Sequence, residues 1–261
     1  FTFLFSRKYL SWMETYFYCF LGYATHGLLD ACTSYGTQLF WPFSDERISW
    51  NNISVVDPLL TVPIIIFIII SILKKNKFIT LFGVFYIFLY LGIGVVQENR
   101  AEKLGKSIAI MRGHESKRLT VKPSLGNLFL WKSIYEDNGF YYVDAVRLLS
   151  KPEYCQGTKI KKLDASNNFM ELNQNSQQFK DIERFNWFSQ GYLGVGTQKN
   201  IITDVRYSAV PNEVDGLWGI KINPSKKNFE HVDWVVNRTT YKAKWKRFLD
   251  LLLGKGCKEI T

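Results

Sequence analysis

Cysteine, histidine and proline are scarce in this chain, whose 261 residues hold four, three and seven of them. Four cysteines with no Cys/His ligand spacing exclude a zinc finger or an iron–sulfur run, and they are too few for a densely stapled scaffold. Cys19 and Cys32 stand in apolar segments and read as buried small hydrophobes, whereas Cys155 and Cys257 can form one bridge if their domain faces an oxidising compartment. The opening FTFLFSRKYL lacks an initiator methionine, a basic n-region and a small-residue cleavage site, so it reads as the interior of a longer protein. No nucleic-acid-binding signature accompanies the net charge of +10, and no specific binding of nucleic acid is expected.

Charge is also missing from two long stretches. Residues 59–73, LLTVPIIIFIIISIL, and residues 78–96 carry none, and Lys74, Lys75 and Lys77 lie between them. Both read as transmembrane helices, the first reaching spanning length if residues 55–58 begin it. Residues 9–29 are rich in Phe, Tyr and Leu but include Glu14 and His26, so they span with a polar inner face or lie against the other helices. The connection at residues 36–57 is punctuated by Gly36, Pro42, Asn51 and Asn52 yet holds Phe40, Trp41, Phe43 and Trp50, which suits an interfacial or re-entrant segment. Asp45, Glu46 and Arg47 read as a solvated turn.

With 47% apolar and 16% aromatic residues, disorder is excluded. The charge is uneven: Lys and Arg against Asp and Glu give 6 − 5 = +1 for residues 1–97 and 27 − 18 = +9 for residues 98–261. A basic domain beside a bilayer suits an anionic lipid surface. Its text changes to an amphipathic helix over residues 98–113, then strand-like runs at 118–121, 128–135, 140–148, 201–207, 218–222 and 232–236, with helices over 177–188 and 241–253. The Asn-rich piece at 165–178 reads as a surface loop. The expected fold is an α-helical membrane region, residues 1–97, followed by a soluble α+β domain with a mainly antiparallel sheet, residues 98–261. Three lysines between the clear spans favour the cytoplasmic side, which sends the later region outside.

His26 and Asp30 are four residues apart, so on a helix they differ by roughly 40° and point to one side, as two metal ligands would. Ionisable groups this close to lipid are costly and functional by default. The bland account is a hydrogen-bonded polar pair within a bundle. Asp57 precedes Pro58 at a helix entrance, where an aspartate is also a good N-cap. His114 and His231 have no ligand spacing around them and read as ordinary histidines. Asp204 and Arg206 share a strand face as a salt bridge, and Trp131, Tyr141, Trp187 and Trp218 read as core.

THGLLDACTSYGTQLFWPFSDERISWNNISVVDPLLTVP resembles the signature block of the bacterial membrane-bound metal-dependent hydrolases, also called the LexA-binding, inner membrane-associated hydrolase family. The resemblance continues through KPSLGNLFLWKSIYEDNGFYYVDAVRLL, RFNWFSQGY and TDVRYS. It implies a multi-pass protein of the bacterial inner membrane with a divalent metal, zinc first, acting on a phosphoester or related bond near the membrane surface. By matching positions it implies that His26 and Asp30 bind the metal and that Asp57 is a ligand or general base. Family members carry further Asp-rich and His-containing motifs upstream that this sequence does not hold, so these residues supply part of a site. Membrane lipids are the expected partners. The reading kept beside it is a non-catalytic, membrane-anchored interaction protein whose soluble domain binds a protein partner, a regulator by the family's description.

Overall fold

Ser11 opens the helical part with a capping box: its hydroxyl accepts from the Glu14 N–H at 3.2 Å, and the Glu14 carboxylate accepts from the Ser11 N–H at 2.8 Å. The charge at Glu14 is thereby a helix-end device. The computed structural model describes residues 2–196, 200–237 and 241–259, in two compact units, Phe1–Leu91 and Gly92–Thr261.

The first unit contains α1 (Thr2–Ser6), α2 (Trp12–Ala31), α3 (Pro58–Lys74) and the start of α4 (Lys77–Met111). α3 and α4 run antiparallel, and their contacts form a ladder. Ser71 and Thr80 hydroxyls meet at 2.6 Å beside the turn, where Lys75 adopts φ 48°. Farther along, the Phe67 and Tyr86 rings lie 6.1 Å apart, and a Cβ at Gly83 would stand 3.1 Å from Phe67, so glycine lets the helices close. At the far end the Tyr86 hydroxyl donates to the Leu59 carbonyl and the Tyr90 hydroxyl to both Asp57 oxygens, each at 2.9 Å. Among the described residues α4 is the one helix both long and apolar enough to cross a membrane; α3 is apolar but has 17 residues. α2 has the length, 20 residues, without the apolarity. Cys19 is exposed rather than buried, because it lies on an outward face of α2, while Cys32 is buried as expected.

In the second unit nine strands form one antiparallel sheet among the described residues, ordered β1 to β8 as a meander: β1 (Arg118–Pro123), β2 (Leu130–Asp137), β3 (Phe140–Leu148), β4 (Pro152–Lys162), β5 (Leu193–Val195), β6 (Ile201–Asp204), β7 (Trp218–Lys221) and β8 (Asp233–Val236). β9 (Lys258–Glu259) pairs with β4 near its start, opposite the end that pairs with β5. The amphipathic segment expected at 98–113 is not a separate helix. It continues α4 without a break, since residues 97–99 offer neither Gly nor Pro to stop it.

The Asn-rich piece contains α5 (Ala165–Asn168) and the start of α6 (Gln177–Phe188) and is not a mere surface loop: Phe169 and Leu172 are buried against Ile182, Phe185, Leu193 and Ile202. Two further clusters complete the core. Ile134, Tyr141, Val143, Ile160 and Val205 form one, and Leu130, Ala145, Cys155 and Val210 take in Phe248 and Leu251 of α7 (Tyr241–Leu252) to form the other. Cys155 and Cys257 form a disulfide that ties the chain's last described turn to β4. Trp131 and Tyr141 are fully buried core residues as expected, whereas Trp187 is 47% exposed on the outer face of α6.

Candidate functional site

His26 and Asp30 lie one turn apart near the end of α2, His26 exposed and Asp30 half-buried. The connection after α2 folds back beside them. Trp50 and Asn52 N–H groups donate to the Ala31 and Cys32 carbonyls at 2.7 and 2.9 Å, and Leu39 would stand 3.4 Å from a Cβ at Gly27. Thr33 bonds the Asp30 backbone carbonyl at 2.8 Å. Arg47, expected in a solvated turn, is half-buried and donates to the Tyr35 and Gly36 carbonyls at 3.0 and 2.8 Å, because a guanidinium can close a loop by satisfying several carbonyls at once. Phe43 at the loop tip is 94% exposed and Trp41 67%, as interfacial aromatics are.

Asp57 is buried at the N-cap of α3. It accepts from the Leu59 and Leu60 N–H groups at 3.1 and 3.3 Å besides the two bonds from Tyr90. Its carboxylate thus joins the start of α3 to α4. Among the described residues no three His, Cys, Asp or Glu side chains gather closely enough to hold a metal ion, so Asp57 is not brought into a three-donor cluster with His26 and Asp30.

The second unit holds a charged centre that its sequence did not announce. Lys122 and Lys132 face each other across β1 and β2, and both are buried. Lys132 Nζ donates to the Ser208 hydroxyl and the Glu213 carbonyl, each at 2.7 Å, and Lys122 Nζ sits 5.0 Å over the Tyr207 ring. Beside them Arg206 grips Asp204 with Nη2 at 2.7 Å and Nε at 2.9 Å, the salt bridge expected of the pair, with both residues buried. Burial pushes the Lys132 ammonium down to about 7, partly opposed by Asp204, Glu213 and Asp215. Lys122 falls well below the ordinary lysine value through burial and the neighbouring Arg206, with Asp204 opposing. Burial works against the Arg206 charge, but Asp204, with Tyr207 and Tyr192, outweighs it and the net movement is upward. Burial, against the pull of the nearby carboxylates, favours proton release from these lysines.

His114 and His231 both have structural partners. His114 Nδ1 lies 2.9 Å from the Tyr135 hydroxyl, and Arg112 clasps Asp144 at 2.7 and 2.8 Å close by. His231 Nδ1 lies 2.9 Å from Asp181 at the rim of a cleft of about 360 Å³ whose apolar lining includes Phe185, Phe188, Ile220 and Trp234. Burial works against the Asp181 charge, yet bonds from Gln177, the Val232 N–H and His231 hold its carboxyl below the usual range. The cleft can seat an apolar group beside an imidazole whose other nitrogen is free of Asp181. No alternation or motif marks it in the sequence, because His231, Val232 and Trp234 come from a segment 50 residues beyond Asp181.

No curated protein and no solved structure matches the chain. Residues 1–101 match the family described as YdjM inner membrane protein, so the α-helical first part of the chain is similar to an inner-membrane protein family.

Proposed function

We propose that this chain is a multi-pass protein of the bacterial inner membrane in which His26 and Asp30 supply two donors to a divalent metal, zinc first, for hydrolysis of a phosphoester or related bond near the membrane surface. The observation that carries the membrane part is the outward face of the helical pair. Ile65, Ile66, Ile68, Ile69, Leu81 and Phe85 are all exposed, an arrangement that lipid accepts and water does not. At 1.5 Å per residue α3 is about 25 Å long, short of the ~30 Å hydrocarbon layer, but its bonding to α4 lets the two enter as a hairpin. Lys74, Lys75 and Lys77 at the turn favour the cytoplasmic side. The Cys155–Cys257 bridge favours an oxidising compartment for the second unit, independently of those lysines.

The donors fit a divalent ion in part. A His and an Asp one turn apart on a rigid helix make a sound two-ligand element, whereas a hydrolytic zinc normally has three protein ligands and an open position. The bonds on Asp57 support a positioning role, holding α3 to α4, and the third donor has to come from another segment or another chain. When bound, such a metal lowers the pKa of its water towards ~7. α2 fixes the His26–Asp30 spacing, and the Arg47-clasped loop brings Leu39 against the same stretch of α2 at Gly27. Metal content of the purified full chain tests the reading: bound zinc in the wild type, lost in His26→Ala and Asp30→Ala and kept in Asp57→Asn, is the expected result. Wild-type protein that takes up no zinc on repletion would sink it.

A further inference from the structure

α7 has two apolar faces, and the fold needs only one of them. Phe248 and Leu251 point inward and are buried with Leu130, Ala145, Cys155 and Val210. Trp245, Leu249 and Leu253, the last one residue past α7 with its N–H still bonded to the Leu249 carbonyl at 3.0 Å, recur every fourth residue along another side and are 52%, 38% and 67% exposed. Steps of four residues turn by about 40° each, so the three side chains form one outward stripe. The Trp245 ring is stacked on Phe248 at 5.3 Å, which fixes it without covering it.

The surroundings of the stripe are basic. Residues 241–259 hold Lys242, Lys244, Lys246, Arg247, Lys255 and Lys258 against Asp250 and Glu259, a net of 6 − 2 = +4. Glu213 takes Arg247 at 2.7 Å and Lys244 at 3.7 Å, and Asp250 takes Lys255 at 2.8 Å. At about 100° per residue Lys246 borders the stripe and stands exposed next to Trp245, while Glu213 holds Lys244 and Arg247 on the other side of the helix. The disulfide at Cys257 pins the chain just beyond Leu253. Tryptophan with leucines below and lysines around them is the composition of a surface that rests in lipid headgroups, where the indole bridges acyl chains and water and each cation meets anionic lipid.

We infer that the Trp245–Leu249–Leu253 stripe of α7 docks onto the surface of an anionic lipid bilayer. This rests on the membrane part of the proposed function, since the inserted helices hold the second unit beside lipid and make a weak contact effective by local concentration. It does not depend on the metal.

The test uses the full chain, one copy per nanodisc, with brominated lipids as quenchers in discs of phosphatidylcholine alone and in discs containing phosphatidylglycerol. Emission of Trp245 is isolated as the difference between wild type and Trp245→Phe, and that of Trp41 likewise through Trp41→Phe. The expected result is quenching of Trp41 in both discs and loss of most Trp245 emission in the anionic discs alone, with the loss abolished by Leu249→Ser/Leu253→Ser. Trp245 unquenched while Trp41 is quenched overturns the docking and leaves the membrane reading intact. Neither quenched overturns both. Equal quenching of Trp245 in the two discs overturns the anionic preference, and quenching that needs two chains per disc assigns the stripe to a second copy instead. An intact Cys155–Cys257 bridge on a non-reducing gel reports that each variant has folded.

Discussion

The two units bury opposite kinds of side chain. In Phe1–Leu91 isoleucines and phenylalanines face outward, while Asp57, Asn51, Asn52 and Ser54 are inside. In Gly92–Thr261 Leu130, Trp131, Ile134 and Tyr141 are fully enclosed, and the charges enclosed with them, Lys122, Lys132, Asp137, Asp144, Asp204 and Arg206, are held by partners. Each unit hides what its own surroundings reject: lipid leaves backbone and carboxylate needing internal partners, and water leaves hydrocarbon needing them. The exceptions teach the most. Asp57 is stable inside because Tyr90 and two N–H groups meet it, and Lys132 because Ser208 and Glu213 do.

The contrast breaks most sharply at Arg206. Arg206→Ala strands the Asp204 carboxylate in the sheet domain, a loss of about 3–5 kcal/mol. The expected outcome is a lowered thermal transition for residues 92–261 with the helical signal of the first unit unchanged, read by limited proteolysis and circular dichroism in detergent. If both units melt earlier together, they are not the separate bodies described.

A subtler change concerns pH. A lysine in the unfolded chain titrates near 10.4, whereas Lys132 in the fold titrates at about 7. Between these values the unfolded state holds more protons, so the sheet domain gains stability as pH rises from about 7 towards 10, and the cost of burying the ammonium is fully present below that window. Lys132→Met should flatten the slope of the urea midpoint against pH and leave the part contributed by Lys122. An unchanged slope would mean that Lys132 keeps its ordinary affinity for the proton. The smallest effect belongs to the first unit: Tyr90→Phe leaves Asp57 its two N–H bonds and should cost about 1–2 kcal/mol of helix pairing, measured by unfolding in mixed micelles.

Much of this organisation was legible because hydrophobic period and charge-free length are local properties. The α6 boundaries, β3 and the apolar helices follow from such patterns. β4 was not legible: PEYCQGTKIKK mixes Pro, Gly and four charged residues, and it becomes a strand because β3 pairs along it past a bulge between Val143 and Ala145. Burial of Phe169 and Leu172 was hidden by the asparagines around them. At the candidate site, the one-turn spacing of His26 and Asp30 and the capping role of Asp57 could be read from the residues themselves. The Tyr90 contact could not, since 33 residues separate the partners. Lysines normally stay at the surface, so nothing in LTVKP or LWKSIY marks Lys122 and Lys132 as interior. Only the register that sets them opposite each other, with Asp204 and Arg206 beside them, reveals a charged interior.

The bridge between Cys155 and Cys257 closes a covalent ring over 102 residues of sequence, from β4 through α6 and most of the later strands to the end of α7. A single peptide-bond cut anywhere within that ring yields two pieces that stay linked as one molecule until a thiol is added. A nick in the loops of this domain therefore does not release a fragment.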